Sequence, residues 1–364
     1  MAALPYLRIS DEVTAALAAA RPVVALESTL LAHGLPWPQN LEVGAESEAT
    51  VRAAGAVPAT VAVLGGRLCV GLAASELERV ARGPLSKAAA ADLGPLLASG
   101  GDGATTVSAT VVAAARAGVR LFATGGIGGV HRGDALDVSS DLTALASHPV
   151  AVVSAGAKAI LDLPRTLEYL ETLGVPVIGY RTLDFPGFYT PSTGLRLAHR
   201  VDSPAAAAAL FAAHLQVHPS RGLLLVNPIP AADALDAAQV ERAIDAALRA
   251  AAGAGVSGKQ LTPFLLARIA ESTALESLRS NRALVLHNVG VAAAIAVAFA
   301  APQQATAGGA NPAPRQATTA GAEPAPLQAT TASAEPAPLQ ATTAGAEPAP
   351  RDKGSATDRA GDAR

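Results

Sequence analysis

Four lysines occur in the chain, Lys87, Lys158, Lys259 and Lys353, beside a larger set of arginines. An amine can attack a sugar aldehyde or a masked aldehyde and form an imine; a guanidinium stays protonated and cannot. Lys158 is placed for such chemistry. It ends Val150–Lys158, VAVVSAGAK, in which β-branched residues give way to Ser154, Ala155, Gly156 and Ala157. The run reads as a buried strand, and its end as a tight turn of residues too small to obstruct a ligand. Ligands of open α/β sheets sit at such strand ends. The same residues also allow a surface lysine that merely follows a strand. Glu27 follows the apolar run Val23–Leu26 and precedes Ser28, Thr29 and the segment His33-Gly34-Leu35-Pro36. A half-buried carboxyl there would have a raised pKa and could protonate a leaving group. A helix-capping or salt-bridging glutamate is the alternative.

Further clusters surround these two. Gly103–Thr110, GATTVSAT, brings hydroxyls and backbone N–H groups to a helix start, an arrangement that binds phosphate or simply caps the helix. Lys87, upstream in a polar turn, adds a positive charge for phosphate or is solvated. Thr124–Gly133, TGGIGGVHRG, follows a strand without the GxGxxG pattern of a dinucleotide site. Its glycines let backbone approach a ligand that His131 and Arg132 would face; otherwise it is a flexible loop. Asp137 and Asp141, with Ser139 and Ser140 between them, could hold a hard cation through oxygen, but their spacing equally suits a helix N-cap. Asn227 ends a strand, and Asn281 and Asn288 lie near the start of the last helix, where amides could read a base or a sugar hydroxyl.

The elements that carry these residues alternate. Strands are expected at Val23–Leu26, Ala59–Leu64, Leu68–Val70, Val119–Ala123, Val150–Val153, Val175–Tyr180 and Leu223–Val226. Helices are expected at Ser10–Arg21, Leu41–Gly55, Ala73–Arg82, Val107–Ala117, Leu142–Ala146, Ile160–Leu173, Pro204–Gln216, Ala232–Gly253, Thr262–Ser272 and Ala283–Ala300. Strands alternating with helices predict an α/β fold, a three-layer α/β/α sandwich around a largely parallel mixed sheet. With aromatics at 3%, alanine, valine and leucine must fill the core. Length and a half-hydrophobic composition suffice for a large core, assigned to residues 1–300. Residues 301–364 repeat with a twelve-residue period, PAPRQATTAGAE then PAPLQATTASAE, and read as a disordered tail and spacer. A net charge of −3 argues against nucleic-acid and membrane-surface partners. A single cysteine, Cys69, and no basic segment at the start suggest a cytoplasmic protein. The apolar run Val289–Ala301 is too short to span a bilayer and reads as a buried or interface helix.

Taken together, ALESTLLAHGLPWPQN, GATTVSAT, TGGIGGVHRG, DVSSDL, VSAGAKAILDL, YLETLGVPVIGY, NPIP and TPFLLARI resemble, in order, the pseudouridine-5′-phosphate glycosidase family, which includes indigoidine synthase A proteins. The resemblance runs from about Leu4 to Ala300. It implies a C-glycosidase of the carbon–oxygen lyase class acting in pseudouridine degradation: pseudouridine 5′-phosphate and water give uracil and ribose 5-phosphate, reversibly. It further implies that Lys158 attacks the anomeric carbon and opens the ribose as an iminium (Schiff-base) adduct, with Glu27 as proton donor. Lys87, Val107, Ser139, Ser140 and Asp141 match substrate-binding positions, and Asp137 matches a manganese ligand. His131, Arg132 and Asn281 are added as substrate contacts. A homotrimer is implied, with the last helix at its interface. Departures are a short loop between Arg132 and Asp137, no glycine pair at Ala274-Leu275, and alanines after Lys87. Another Schiff-base lyase or aldolase acting on a sugar phosphate is the alternative enzyme, and a phosphosugar-binding protein the non-enzymatic one.

Overall fold

The computed structural model describes residues 5–133, 137–256, 258–273 and 275–307. Of the tail expected at 301–364, residues 301–307 are helical and continue the last helix, while 308–364 and the core of the short loop before Asp137 lie outside the described residues. The strands are β1 (Leu7–Ile9), β2 (Val23–Leu26), β3 (Val57–Leu64), β4 (Arg67–Val70), β5 (Ser86–Ala88), β6 (Gly103–Thr105), β7 (Leu121–Ala123), β8 (Val130–His131), β9 (Ala151–Ser154), β10 (Leu161–Asp162), β11 (Val177–Tyr180), β12 (His199–Val201) and β13 (Leu223–Val226). The α-helices are α1 (Asp11–Ala18), α2 (Gln39–Ala53), α3 (Ala74–Arg82), α4 (Leu93–Ser99), α5 (Val107–Ala117), α6 (Ser140–Ser147), α7 (Leu163–Thr172), α8 (Pro204–Val217), α9 (Ala237–Gly253), α10 (Leu261–Ser272) and α11 (Glu276–Ala307).

The main sheet runs β1-β4-β3-β2-β7-β9-β13-β11-β12, with β6 added to β3 and β5 to β6. From β3 through β12 every neighbouring pair is parallel; β4 and β6 pair with β3 antiparallel. The expected largely parallel mixed sheet is therefore present. Its middle strands are buried on both faces, VVAL in β2, AVVS in β9 and LLLV in β13, as parallel strands between helical layers must be. The core is alanine, valine and leucine, with Phe122, Phe185 and Phe211 the largest fully buried side chains.

Local chemistry sets the boundaries. Ser10 caps α1 by accepting from the Val13 backbone N–H, and Gly118, left-handed at φ 89°, stops α5. Several short elements were not expected. Lys87 lies on β5, not in a turn, because Ser86–Ala88 pairs with β6. Leu30–Gly34 forms a single π-turn, which the sequence pattern does not announce.

The last helix is longer than expected. It starts at Glu276, so Glu276–Ala301 is long and apolar enough, by length and composition, to cross a bilayer. In this fold it is a core helix: Leu284, Val285, Val289, Ala292, Ala293 and Ile295 are buried, and it packs on β2, β7 and β9 between α2 and α8.

Candidate active site

The sheet has a switch point. β2 leads through α2 to β3 on one side, while β7 lies on its other side and leads onward to β9. The carboxyl ends of β2 and β7 therefore diverge around a crevice, where open α/β sheets bind ligands. Glu27 directly follows β2, Thr124 directly follows β7, and Lys158 lies just beyond β9.

These ends are stitched together. Ala155 N donates to Gly125 O at 2.9 Å, Ile127 N to Gly156 O at 3.0 Å, and Lys158 N to Ile127 O at 3.0 Å. The turns after β7 and β9 thus form a short ladder beyond the sheet proper. Gly156 is indispensable to it, at φ +84° and with a Cβ position 2.6 Å from the Pro186 carbonyl oxygen. At the end of the ladder, Lys158 Nζ donates to Gly126 O at 3.0 Å. The Thr124 hydroxyl donates to Glu27 Oε1.

Glu27 and Lys158 line one cavity of about 310 Å³. Burial pushes the Glu27 carboxyl above the usual carboxylate range. The Lys158 charge and the Thr124 hydrogen bond oppose that rise, as does Lys87 more weakly, while Asp141 adds to it. A small apolar space lined by Leu26, Leu30, Val285 and Val289 lies behind Glu27. The acid is thus held in low dielectric beside a primary amine.

The rest of the wall is polar. Thr106 and Val107, at the start of α5, line the cavity, and Thr106 makes no side-chain cap. A helix start of this kind presents N–H groups and partial positive charge to an anion. Lys87 joins them from β5, and Ser139 and Ser140 from the start of α6. Asp141 also touches the cavity, yet both its oxygens hold backbone: Oδ1 accepts from Ser108 N at 2.7 Å and Oδ2 from Gly128 N at 2.8 Å. It clamps the start of α5 to the glycine loop. Gly128 cannot be larger, since a Cβ there would sit 2.3 Å from Ser139 Oγ.

His131 lines the cavity, and its Nε2 lies 4.0 Å from Asp137 Oδ2. Burial depresses its pKa; Asp137 counters this, while Lys87 and Lys158 reinforce it. Among the described residues no three His, Cys, Asp or Glu side chains gather around one point. Asp137, with the neighbouring Ser139 and Ser140 hydroxyls, is instead an oxygen donor set open to the cavity. Oxygen donors are the type a hard divalent cation takes, although the Ser140 hydroxyl donates to Ser108 Oγ at 3.0 Å and Ser139 Oγ accepts from Asp141 N at 3.2 Å.

Arg132 is not brought to the cavity. Its guanidinium pairs with Glu241 and donates to Ala159 O at 3.1 Å, tying α9 to the turn after Lys158. Asn281 does reach the wall from α11. Asn288, grouped with it in sequence, is buried and holds backbone instead.

Among the cavity residues that sequence reasoning did not single out, two have unusual settings. His33, in the π-turn, has a buried Nε2 without a hydrogen-bond partner, and burial together with Lys87 lowers its pKa. Phe188 contributes a buried ring from a left-handed backbone (φ 66°), a conformation that marks functional sites more often than sequence does.

A pseudouridine-5′-phosphate glycosidase of Sorangium cellulosum is 52% identical over 81% of this chain and 94% of its own length. One of Chloroflexus aurantiacus is 53% identical over 80% and 98%. The crystal structure of the prealnumycin C-glycosynthase AlnA in complex with ribulose 5-phosphate superposes with a TM-score of 0.77, at 43% identity over 83% of this chain and 99% of that one. An indigoidine synthase A (IdgA)-like protein of Thermotoga maritima gives 0.74 at 33% identity, over 81% and 96%. The model of the indigoidine synthase A like proteins matches residues 12–298, so the chain belongs to that family.

Proposed function

We propose that the protein is a pseudouridine-5′-phosphate glycosidase, cleaving the C–C glycosidic bond to give uracil and ribose 5-phosphate. The observation that carries this is one cavity holding both Glu27 and Lys158, in a chain half identical to relatives of that name.

Protonating a uracil carbon is hard, and a C-glycoside resists simple acid hydrolysis, so a covalent route lowers the barrier. The uncharged Lys158 Nζ bonds the anomeric carbon as the bond from that carbon to the ring oxygen breaks, and the ring oxygen takes a proton from Nζ, opening the ribose and leaving a neutral secondary amine. Glu27 supplies a proton to uracil C5. The nitrogen lone pair then expels uracil, leaving a lysine iminium of ribose 5-phosphate. Water adds to the iminium carbon, and the C–N bond breaks to release the aldehyde and the amine. Electron balance therefore puts the iminium after the bond is cut, with the uracil ring as the electron acceptor.

The other groups bind and orient. The start of α5 with Lys87, Ser139 and Ser140 takes the phosphate, and Asn281 faces the sugar or base. Asp137 would hold a divalent cation such as Mn2+, which would screen phosphate charge. A homotrimer that uses the outward side of α11, where Val297 is exposed, completes the proposal, for a protein of the cytoplasm.

Release of uracil from pseudouridine 5′-phosphate, followed by absorbance with manganese added and with it chelated, tests the assignment. No release under either condition overturns it. AlnA, a C-glycosynthase seen with ribulose 5-phosphate, favours one second reading, net synthesis of a C-glycoside from a pentose phosphate. Equilibrium runs from both sides separate the two.

A further inference from the structure

We propose that Asn288, backed by Asn227, is a positioning residue that fixes the turn after β7 and so sets Glu27 and Lys158 at once. The inference rests on the enzymatic reading above.

Asn288 is fully buried on α11, and Asn227 is buried at the end of β13. Asn288 Nδ2 donates to Thr124 O at 2.9 Å and to Gly125 O at 3.3 Å. Its Oδ1 accepts from Asn227 Nδ2 at 2.9 Å. The amide orientation is thereby determined: two carbonyls require the NH2 side, and the Asn227 donor requires the oxygen side.

The turn it grips carries both reacting groups by their partners. The Thr124 hydroxyl donates to Glu27, and the Gly126 carbonyl accepts from Lys158 at 3.0 Å. Gly125 and Gly126 give this turn no side chains of their own to anchor it. Gly125 O keeps the Ala155 N–H, but the Thr124 carbonyl would lose its Asn288 donor, and a buried carbonyl needs one, so without Asn288 the turn must shift at Thr124. Among the described residues that line the cavity, neither Asn227 nor Asn288 appears. Their effect on the reaction therefore runs through the turn.

The test compares Asn288→Asp, which keeps shape but loses both donors, with Asn227→Ala, which removes only the support. The readouts are uracil release and the titration of the Glu27 carboxyl by carbon NMR, the latter needing no substrate. The expectation is a kcat lower by about tenfold to a hundredfold. KM should stay within about twofold, since the phosphate is held by other elements. In Asn227→Ala, which adds no charge, the Glu27 titration should move to higher pH because the Thr124 hydrogen bond that lowers it is loosened; in Asn288→Asp the new carboxylate pushes the same way. Folded variants with parental kcat and an unmoved titration would overturn the inference, and so would a lower melting temperature with no change in either. Failure of both variants to fold would mark the pair as part of the fold and overturn it too. Should the parent itself release no uracil, the functional reading fails, and the titration alone still decides the role of Asn288.

Discussion

At the scale of single residues, the site depends on two groups with opposite charge tendencies in one cavity. Lys158→Ala should cut uracil release to below about a thousandth of the parent while leaving the melting temperature close to it, since the side chain faces a cavity and makes one backbone hydrogen bond. Full activity in that variant would end the covalent scheme. Glu27 has a raised pKa, so its acid form persists above the usual carboxylate range. As a proton donor it works below that raised pKa, and the rate should fall as pH climbs through it. The same sign applies to stability: the folded state binds this proton more tightly than the unfolded state, so Glu27 weakens the fold progressively as pH rises. Glu27→Gln should lose about a hundredfold or more in kcat. It should also melt higher than the parent by a margin that widens with pH. A rate profile flat across the neutral range would contradict the assignment. Both residues were legible in the sequence because each ends an apolar run. His33 and Phe188 were not, because neither a lone histidine in a π-turn nor a phenylalanine in a left-handed backbone leaves a periodic trace.

At the scale of elements, sequence and structure agree where an element's end is punctuated. Val107–Ala117 was expected as it stands, because Gly118 stops it, and Leu223–Val226 because four apolar residues leave no other choice. The strands β5, β6, β8 and β10 are two or three residues long, and only their partners make them strands. This is why Lys87 was read as a turn residue, and why the phosphate end of the site was harder to see than the catalytic end. The clamp at Asp141 joins the start of α5 to the glycine loop after β7. Asp141→Ala would leave the Ser108 and Gly128 N–H groups without their acceptor, at a cost of about 1–3 kcal/mol each. Thermal melting should show the loss, and KM for the phosphate-bearing substrate should rise more than kcat falls. Gly128→Ala should do similar damage by displacing Ser139, and a variant with parental KM would show that Ser139 does not hold the ligand.

At the scale of the whole molecule, the carboxyl end of the sheet gathers residues from the first strands, the middle and the last helix. The α/β class, the parallel order and the core composition were readable from alternating periods, because burial on both faces of a parallel sheet demands apolar runs. The repeat tail contributes nothing to that pattern, and removing residues 308–364 should leave uracil release within about twofold of the parent. A larger loss would give the tail a part in the reaction. The path of α11 has a further consequence, in the order of synthesis. A chain emerging from the ribosome presents Glu27 and Lys158 well before the helix that bears Asn288 and closes the core over β2, β7 and β9. For on the order of ten seconds a nascent chain would own both reacting groups and the strands beneath them, yet lack the amide that holds their turn. Catalytic competence should arrive late and in one step, when translation delivers the final helix.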